Sequence, residues 1–440
     1  MDGDTEAQGA TSNIDTMTNG ASTELPMMPG PQDTTVNSDP PMLIDPTQVL
    51  DETALGIMPM QGMTADEIAL YDRQIRLWGV KAQELIRNAN ILLIGIKALG
   101  NEIAKNLVLA GIGSLTVLDH ESVTEEDLGC QFLIADEDVG KNRAEAAAVE
   151  LRKMNPRVNV MTDTDGIMNK VPGYFGAFQT VICTGQTFDL ASTINMSCRM
   201  FGTKFYAADV HGYYGYVFSD LINHMFVVEK EISNIPTKVN TMETPTRMVI
   251  GVETKKENGK IKEIVTKQEI YSPILLANSS SLPAETMKSR RTKLKVPALI
   301  SCFRGLFEFQ KQTGRQPSAR QEDLALFTKL SNEKHLELQL PHETLTSTVF
   351  RQFLQNLGTE IPPTAASLGG QVAQDVINVL GMREQPLQNF LLFDGDDFKA
   401  PIYSLQPVFD PDLSMNADVP VNTNSNGTSM NATNGTDPAQ

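Results

Sequence analysis

Apolar positions along this chain switch repeatedly between a strand pattern and a helix pattern. Ile91-Leu92-Leu93-Ile94 is a short continuous apolar run ended by Gly95, as in a strand buried on both faces. Ser114-Leu115-Thr116-Val117-Leu118-Asp119, residues 157–162, Thr180-Val181-Ile182-Cys183 and Lys204-Phe205-Tyr206-Ala207 read as further strands. Helices are expected between them: from the turn after Gly95 through about Leu109, from Lys141 to Met154 before Asn155-Pro156, and around 189–201. Tyr213–Val217 reads as hairpin-like. Strands alternating with helices predict an α/β fold, a doubly wound and mostly parallel sheet of Rossmann-like kind.

Order is expected to begin at Thr64. Thr64-Ala65-Asp66-Glu67 has the capping-box spacing, with Glu67 three residues after the cap, and its helix is expected to carry Ile68 and Tyr71 towards the core. Residues 80–88 predict a second helix. Beyond about 230 the pattern changes. Residues 236–297 are lysine-rich and irregular, and the basic cluster Lys288, Arg290, Arg291, Lys293, Lys295 reads as solvated loop ahead of an import signal. Helical spacing returns over Ala298–Thr313, Arg320–Leu330 and Leu345–Leu357. A helix at Ala365–Leu380 and the run Phe390-Leu391-Leu392-Phe393-Asp394-Gly395 then restore α/β character. The expected organisation is an unstructured tail (1–63), an α/β domain (64–235), an inserted loop and helical segment (236–357), a return to the α/β domain (358–407) and a second tail (408–440).

Charge changes this picture little. The net charge is −18, but residues 1–63 hold ten acidic residues and residues 408–440 hold four, with no Lys or Arg in either. Residues 64–407 carry 40 acidic and 36 basic residues, which argues against a general nucleic-acid binder. No apolar run of about 18 residues exists, so no membrane span is expected. Nor is a secretory signal expected, since no charged stretch followed by an apolar one opens the chain. Four cysteines without a CxxC pair suit a reducing compartment, the cytosol or nucleus. The sequons at Asn426, Asn431 and Asn434 are expected to be chance matches, and Pro41-Met42-Leu43-Ile44 an unstructured apolar island.

The candidate chemistry starts at Gly95-Ile96-Lys97-Ala98-Leu99-Gly100. A strand, a turn and a helix in this order form a phosphate-binding layout, which works when glycines let backbone N–H groups approach a pyrophosphate. Lys97 and Ala98 stand where further glycine is expected. Asp119 lies 24 residues beyond Gly95, at the end of a strand, where an acid can hold a ribose hydroxyl. That leaves a dinucleotide-dependent oxidoreductase open as one alternative. Cys302 sits in the apolar stretch Ala298-Leu299-Ile300-Ser301-Cys302-Phe303 and is expected to be buried and inert, with Cys183 and Cys198 as core residues. The five histidines show no metal-ligand spacing, so no metal site is expected.

Several segments are familiar together. Tyr71-Asp72-Arg73-Gln74-Ile75-Arg76-Leu77-Trp78-Gly79 resembles the opening of the enzymes that activate ubiquitin-like modifiers. So do Lys105-Asn106-Leu107-Val108-Leu109-Ala110-Gly111, Leu118-Asp119-His120, Gln131-Phe132-Leu133, Gly140-Lys141-Asn142-Arg143-Ala144 and Asn389–Gly395. The resemblance covers roughly 64–405 and is strongest to the small subunit, without a thioester-forming cysteine, of the heterodimers that activate SUMO. It implies a catalytic large subunit and a modifier, SUMO, as partners, with the NEDD8 pathway as the near alternative. It also implies that ATP and Mg²⁺ are bound by that large subunit.

Against the pattern of the family's active half, this chain departs in three places. Lys97 and Ala98 replace turn glycines, Gly129-Cys130 stands where Asn-Arg is expected, and Gln186 falls where a metal-associated Asp is expected. Cys130 lacks the fork of donors that Arg offers phosphate, and Gln186 brings no charge to Mg²⁺. Gly95, Gly100, Asp119 and Arg143 then remain as relics of a lost site, Asp119 as a structural residue and Arg143 as a surface helix residue. The resemblance assigns Arg73 the catalytic role, as an arginine reaching in trans to the partner's ATP phosphates, where a permanent cation stabilises transition-state charge. The competing expectations are that Arg73 pairs with Asp72 on the helix surface, or that the chain is purely a scaffold. Arg76 is a weaker candidate, and Trp78 a packing anchor. Nuclear residence, with a cytoplasmic share, follows from the implied pathway.

Overall fold

A computed structural model describes residues 62–407 apart from 258 and 259. The expectations for residues 1–61 and 408–440, including the sequons and the apolar island, lie outside the described residues.

Chain entry is helical. The helices α1 (Ala65–Leu70), α2 (Asp72–Trp78) and α3 (Val80–Arg87) run head to tail. The capping box forms as spelled: the Thr64 side chain accepts from the Glu67 amide, and Glu67 accepts from the Thr64 amide. Tyr71 goes into the core as expected, at 5% exposure, but Ile68 stays 42% exposed. Its face of the short helix is not the one that packs.

The expected alternation follows: β1 (Asn90–Ile94), α4 (Ala98–Ala110), β2 (Ser114–Leu118), α5 (Arg143–Met154), β3 (Asn159–Asp163), α6 (Pro172–Phe175), β4 (Thr180–Thr184), α7 (Phe188–Met200), β5 (Lys204–His211) and β6 (Tyr214–Asp220). After these come β7 (Asn223–Glu231), β8 (Thr241–Thr244), β9 (Arg247–Glu257) and β10 (Lys260–Ile270). The helices α8 (Ile274–Ser279), α9 (Ala284–Met287), α10 (Arg290–Lys293), α11 (Leu299–Thr313), α12 (Gln321–Glu337), α13 (Ser347–Asn356) and α14 (Pro362–Leu380) precede β11 (Phe390–Asp394) and β12 (Ile402–Tyr403).

The main sheet has eight strands in the order β12-β11-β6-β5-β4-β1-β2-β3. Pairing is parallel from β3 to β5 and antiparallel from β5 to β12. This is the expected doubly wound, mostly parallel α/β sheet. Two apolar layers hold it. On one face α4, α5 and α14 bury Ile103, Leu107, Leu151 and Val376 against Ile91, Leu93 and Val117. On the other, α7, α11 and α13 bury Cys198, Phe303 and Phe353 against Leu92, Val181 and Phe218. Each fully buried Leu, Ile or Phe contributes about 1.5–3 kcal/mol.

Residues 236–297 contain strands, contrary to the expected inserted loop. β7, β10, β9 and β8 form a four-stranded antiparallel sheet in that order. Lysines disguised it. They share a strand face with the buried Phe226 and Val265 and pair with acids, Lys230 with Glu263 at 3.5 Å and Lys267 with Glu243 at 2.7 Å. The cluster at 288–295 occupies short helical turns rather than loop. Lys288 pairs with Glu285, Arg290 with Glu343, and Lys293 donates to the Gln339 carbonyl at 3.2 Å.

Candidate functional site

The turn between β1 and α4 sits at the carboxyl end of the parallel strands, where a doubly wound sheet holds its ligands. Gly95 is required by the backbone, with φ +83° and a Cβ position 2.7 Å from the Thr184 carbonyl oxygen. Gly100 permits a close approach, since a Cβ there would lie 2.3 Å from the Gly95 carbonyl oxygen. Both glycines therefore have packing roles in this chain. The Thr184 hydroxyl ties the turn to β4 by donating to the carbonyls of Ile94 at 3.0 Å and Gly95 at 2.9 Å.

Three amides of the turn are already engaged. Gly95 N–H donates to the Leu118 carbonyl at 2.9 Å, Ile96 N–H to Asp119 Oδ2 at 3.0 Å, and Ala98 N–H to Glu360 Oε2 at 3.2 Å. Asp119 also accepts from the Glu121 amide at 3.0 Å, which leaves its carboxylate committed to the fold rather than open to a ribose.

Arg143 departs from expectation. It is no surface residue but only 3% exposed, and its guanidinium spans three acids: Asp119 at 3.1 Å, Glu121 at 2.9 Å and Asp127 at 3.2 Å. Burial works against its charge, yet the three carboxylates outweigh it and raise its pKa above the ordinary arginine value. The hydrogen bond from Arg143 in turn lowers the Glu121 pKa, against the opposing effect of burial. Gln186 turns its amide to the Thr184 carbonyl at 3.2 Å. Burial, followed by the neighbouring Glu360 and Asp127, pushes the Cys130 thiol up to about 11.

What remains is a cleft of about 140 Å³ lined by Lys97, Asp119, Glu121, Arg143, Asp209 and Glu360 among others. Pockets for cofactor-sized ligands run to about 300–1,000 Å³. Four carboxylates face two cations, and one of those cations is locked among acids. Size and charge both oppose a triphosphate. Burial further raises the pKa of Asp209, with His211 pulling the other way. Another cavity, about 1,170 Å³ between the β8–β9 hairpin, α14 and β12, is far roomier, but its charged groups serve the fold. There Arg247 bonds Glu269, and Asp375 accepts from the Tyr206 hydroxyl at 2.7 Å.

Arg73 is in a different situation. It is exposed on α2 and has no hydrogen bond or ion pair among the described residues. Asp72 is not its partner: Asp72 pairs with Arg76 at 3.0 Å, one helical turn on. Helical hydrogen bonds from Tyr71 to Glu67 at 2.9 Å and from Ile75 to Tyr71 at 2.8 Å carry the turn through the joint between α1 and α2. Leu70 and Leu77 therefore share a helical face with Arg73, and they are 57% and 75% exposed. The base beneath is firm. Tyr71 accepts from Asn155 at 3.0 Å, Trp78 Nε1 donates to Gln83 at 2.9 Å, and Arg383 donates to the Trp78 carbonyl at 2.9 Å. Trp78 is thus an anchor, as expected.

Cys183, Cys198 and Cys302 are buried in the core, where burial raises each thiol far out of the nucleophilic range. Among the described residues no three His, Cys, Asp or Glu side chains are grouped to hold a metal ion, and no helix is long and apolar enough to cross a membrane. Sequence reasoning missed Glu360 altogether. It reaches the turn from 262 residues away, and no local pattern marks it.

Comparison with known proteins adds the family. The ThiF family profile matches residues 71–408. The DNA damage tolerance protein RHC31 of Saccharomyces cerevisiae is 37% identical over 352 residues, 79% of this chain and 99% of the yeast protein. SUMO-activating enzyme subunit 1 of Homo sapiens is 35% identical over 339 residues, 76% of this chain and 94% of the human protein. The Xenopus laevis subunit 1 is 35% identical over 338 residues, with the same coverage. Similarity of this extent, nearly end to end in each relative, establishes that the chain belongs to the ThiF family.

Proposed function

We propose that this chain is the regulatory subunit of a heterodimeric SUMO-activating enzyme. It supports adenylation of the modifier's C-terminus on a catalytic large subunit that binds Mg-ATP and forms the thioester. Arg73 is supplied in trans to that subunit's ATP. Nuclear residence, with a cytoplasmic share, belongs to the same reading.

One observation carries it: the nucleotide end of this chain's own sheet is filled by Glu360, Asp119 and Arg143, while Arg73 stands exposed and unpaired elsewhere on the surface. A guanidinium is permanently charged and matches phosphate geometry, and no neighbour competes for it. The exposed Leu70 and Leu77 on either side give a partner surface apolar contacts to close around the cation. Relatives named for SUMO activation favour that modifier over NEDD8. The oxidoreductase alternative needs a dinucleotide-sized cleft, and about 140 Å³ falls short of it.

The test is ATP–pyrophosphate exchange by the reconstituted heterodimer. Arg73→Ala is expected to co-purify with the partner and to slow adenylation, by up to the about 10³- to 10⁵-fold seen for arginine fingers in general. Intact complex with undiminished exchange supports a bare scaffold instead. Loss of the complex puts Arg73 at the interface rather than at the phosphates.

A further inference from the structure

The N-terminus of α4 follows a glycine turn at the end of a parallel strand, which is where this kind of fold holds a phosphate. In this chain a carboxyl group is already there. The Ala98 amide donates to Glu360 Oε2 at 3.2 Å, and the Cys130 thiol lies 3.8 Å from the same oxygen. Burial raises the Glu360 pKa above its ordinary value, while the Ala98 amide and Lys97 pull it the other way. The segment bringing Glu360 in is pinned to the end of β5: Gly212 N–H donates to the Thr359 carbonyl at 2.6 Å, and Gly358 N–H to His211 Nδ1 at 3.1 Å. The segment that carries the carboxylate is thus held by one backbone bond and one bond to the His211 ring.

We propose that Glu360 is a built-in occupant of this anion seat, a carboxylate standing where a phosphate oxygen would sit, and that it closes the seat to phosphate-bearing ligands. It does two jobs. It accepts from the first amide of α4, whose cap residue Lys97 makes no side-chain capping bond. It also ties the segment after α13 to the turn between β1 and α4. This role of Glu360 concerns this chain alone and does not depend on Arg73 acting in trans.

The test is a titration of the full chain with inorganic phosphate at constant ionic strength, read by the Ala98 amide signal and by thermal unfolding. Wild type is expected to show no response at the Ala98 amide. Glu360→Ala vacates the seat, and phosphate is expected to bind it, with a saturable shift of the Ala98 amide that wild type lacks. Glu360→Gln keeps the size without the charge and is expected to fall between the two. Wild type moving its Ala98 amide in phosphate overturns the proposal. So does a folded Glu360→Ala variant with wild-type phosphate affinity. Should Glu360→Ala fail to fold, Glu360→Gln decides: tighter phosphate binding than wild type upholds the proposal, and equal binding overturns it.

Discussion

Arg143 shows how a residue can remain in a motif while its task changes. Its guanidinium lies beneath the cleft and neutralises Asp119, Glu121 and Asp127. Asp119 and Asp127 are themselves buried. Removing the cation leaves both unpaired, and breaking such a pair costs about 3–5 kcal/mol. Arg143→Ala is therefore expected to destabilise the chain to urea by that measure, and a stability within about 0.5 kcal/mol of wild type contradicts this structural role. The sequence made Asp119 legible, because an acid at a strand end has a positional meaning. It did not make Arg143 legible. Its acids lie 16–24 residues away in sequence, and only the docking of α5 on β2 brings them together. Glu360 lay further out of reach, since its contact depends on how a long insertion returns to the sheet.

At the scale of elements, the α1–α2 stripe of Leu70, Arg73 and Leu77 makes a separate prediction. Leu77 is exposed, so Leu77→Glu is expected to change the stability of the isolated chain by no more than about 0.5 kcal/mol. The same change is expected to weaken co-purification with the partner, because it puts a carboxylate beside the contact surface around Arg73. Unchanged partner affinity moves the interface away from this stripe.

A second element-scale prediction concerns α14 and β5. Burial, opposed by bonds from Tyr206 and Leu387, pushes the Asp375 pKa up to about 6, from an ordinary 3.8. A carboxyl with a raised folded-state pKa binds protons more tightly when folded. Its contribution to stability is therefore full below about pH 4 and is lost as pH rises to about 6, by up to roughly 3 kcal/mol. Asp375→Asn is expected to flatten this part of the stability profile against wild type, and parallel profiles contradict it.

The strands of the parallel sheet were readable because both faces are buried, and a run such as Ile91–Ile94 admits few other readings. The sheet β7–β10 was not readable. One face is solvated, lysines and glutamates pair across strands, and the charge density resembles loop.

Taken as a whole, the molecule combines a nucleotide fold, a cleft lined by its own side chains, and an exposed Arg73 without a side-chain partner among the described residues. The isolated chain is therefore expected to give no ATP–pyrophosphate exchange and no Mg-ATP-dependent rise in melting temperature. A ligand at about a hundred times its Kd stabilises by about 2.7 kcal/mol, so a real site is easily seen. A clear rise with millimolar Mg-ATP contradicts this reading of the cleft.

The most direct measurement is the distance from the Arg73 guanidinium to the nucleotide phosphates in a structure of the heterodimer with Mg-ATP and modifier. A separation of about 2.7–3.2 Å to a phosphate oxygen in the partner's pocket is predicted. A guanidinium facing open solvent, or a nucleotide lying against the Lys97 turn, contradicts it.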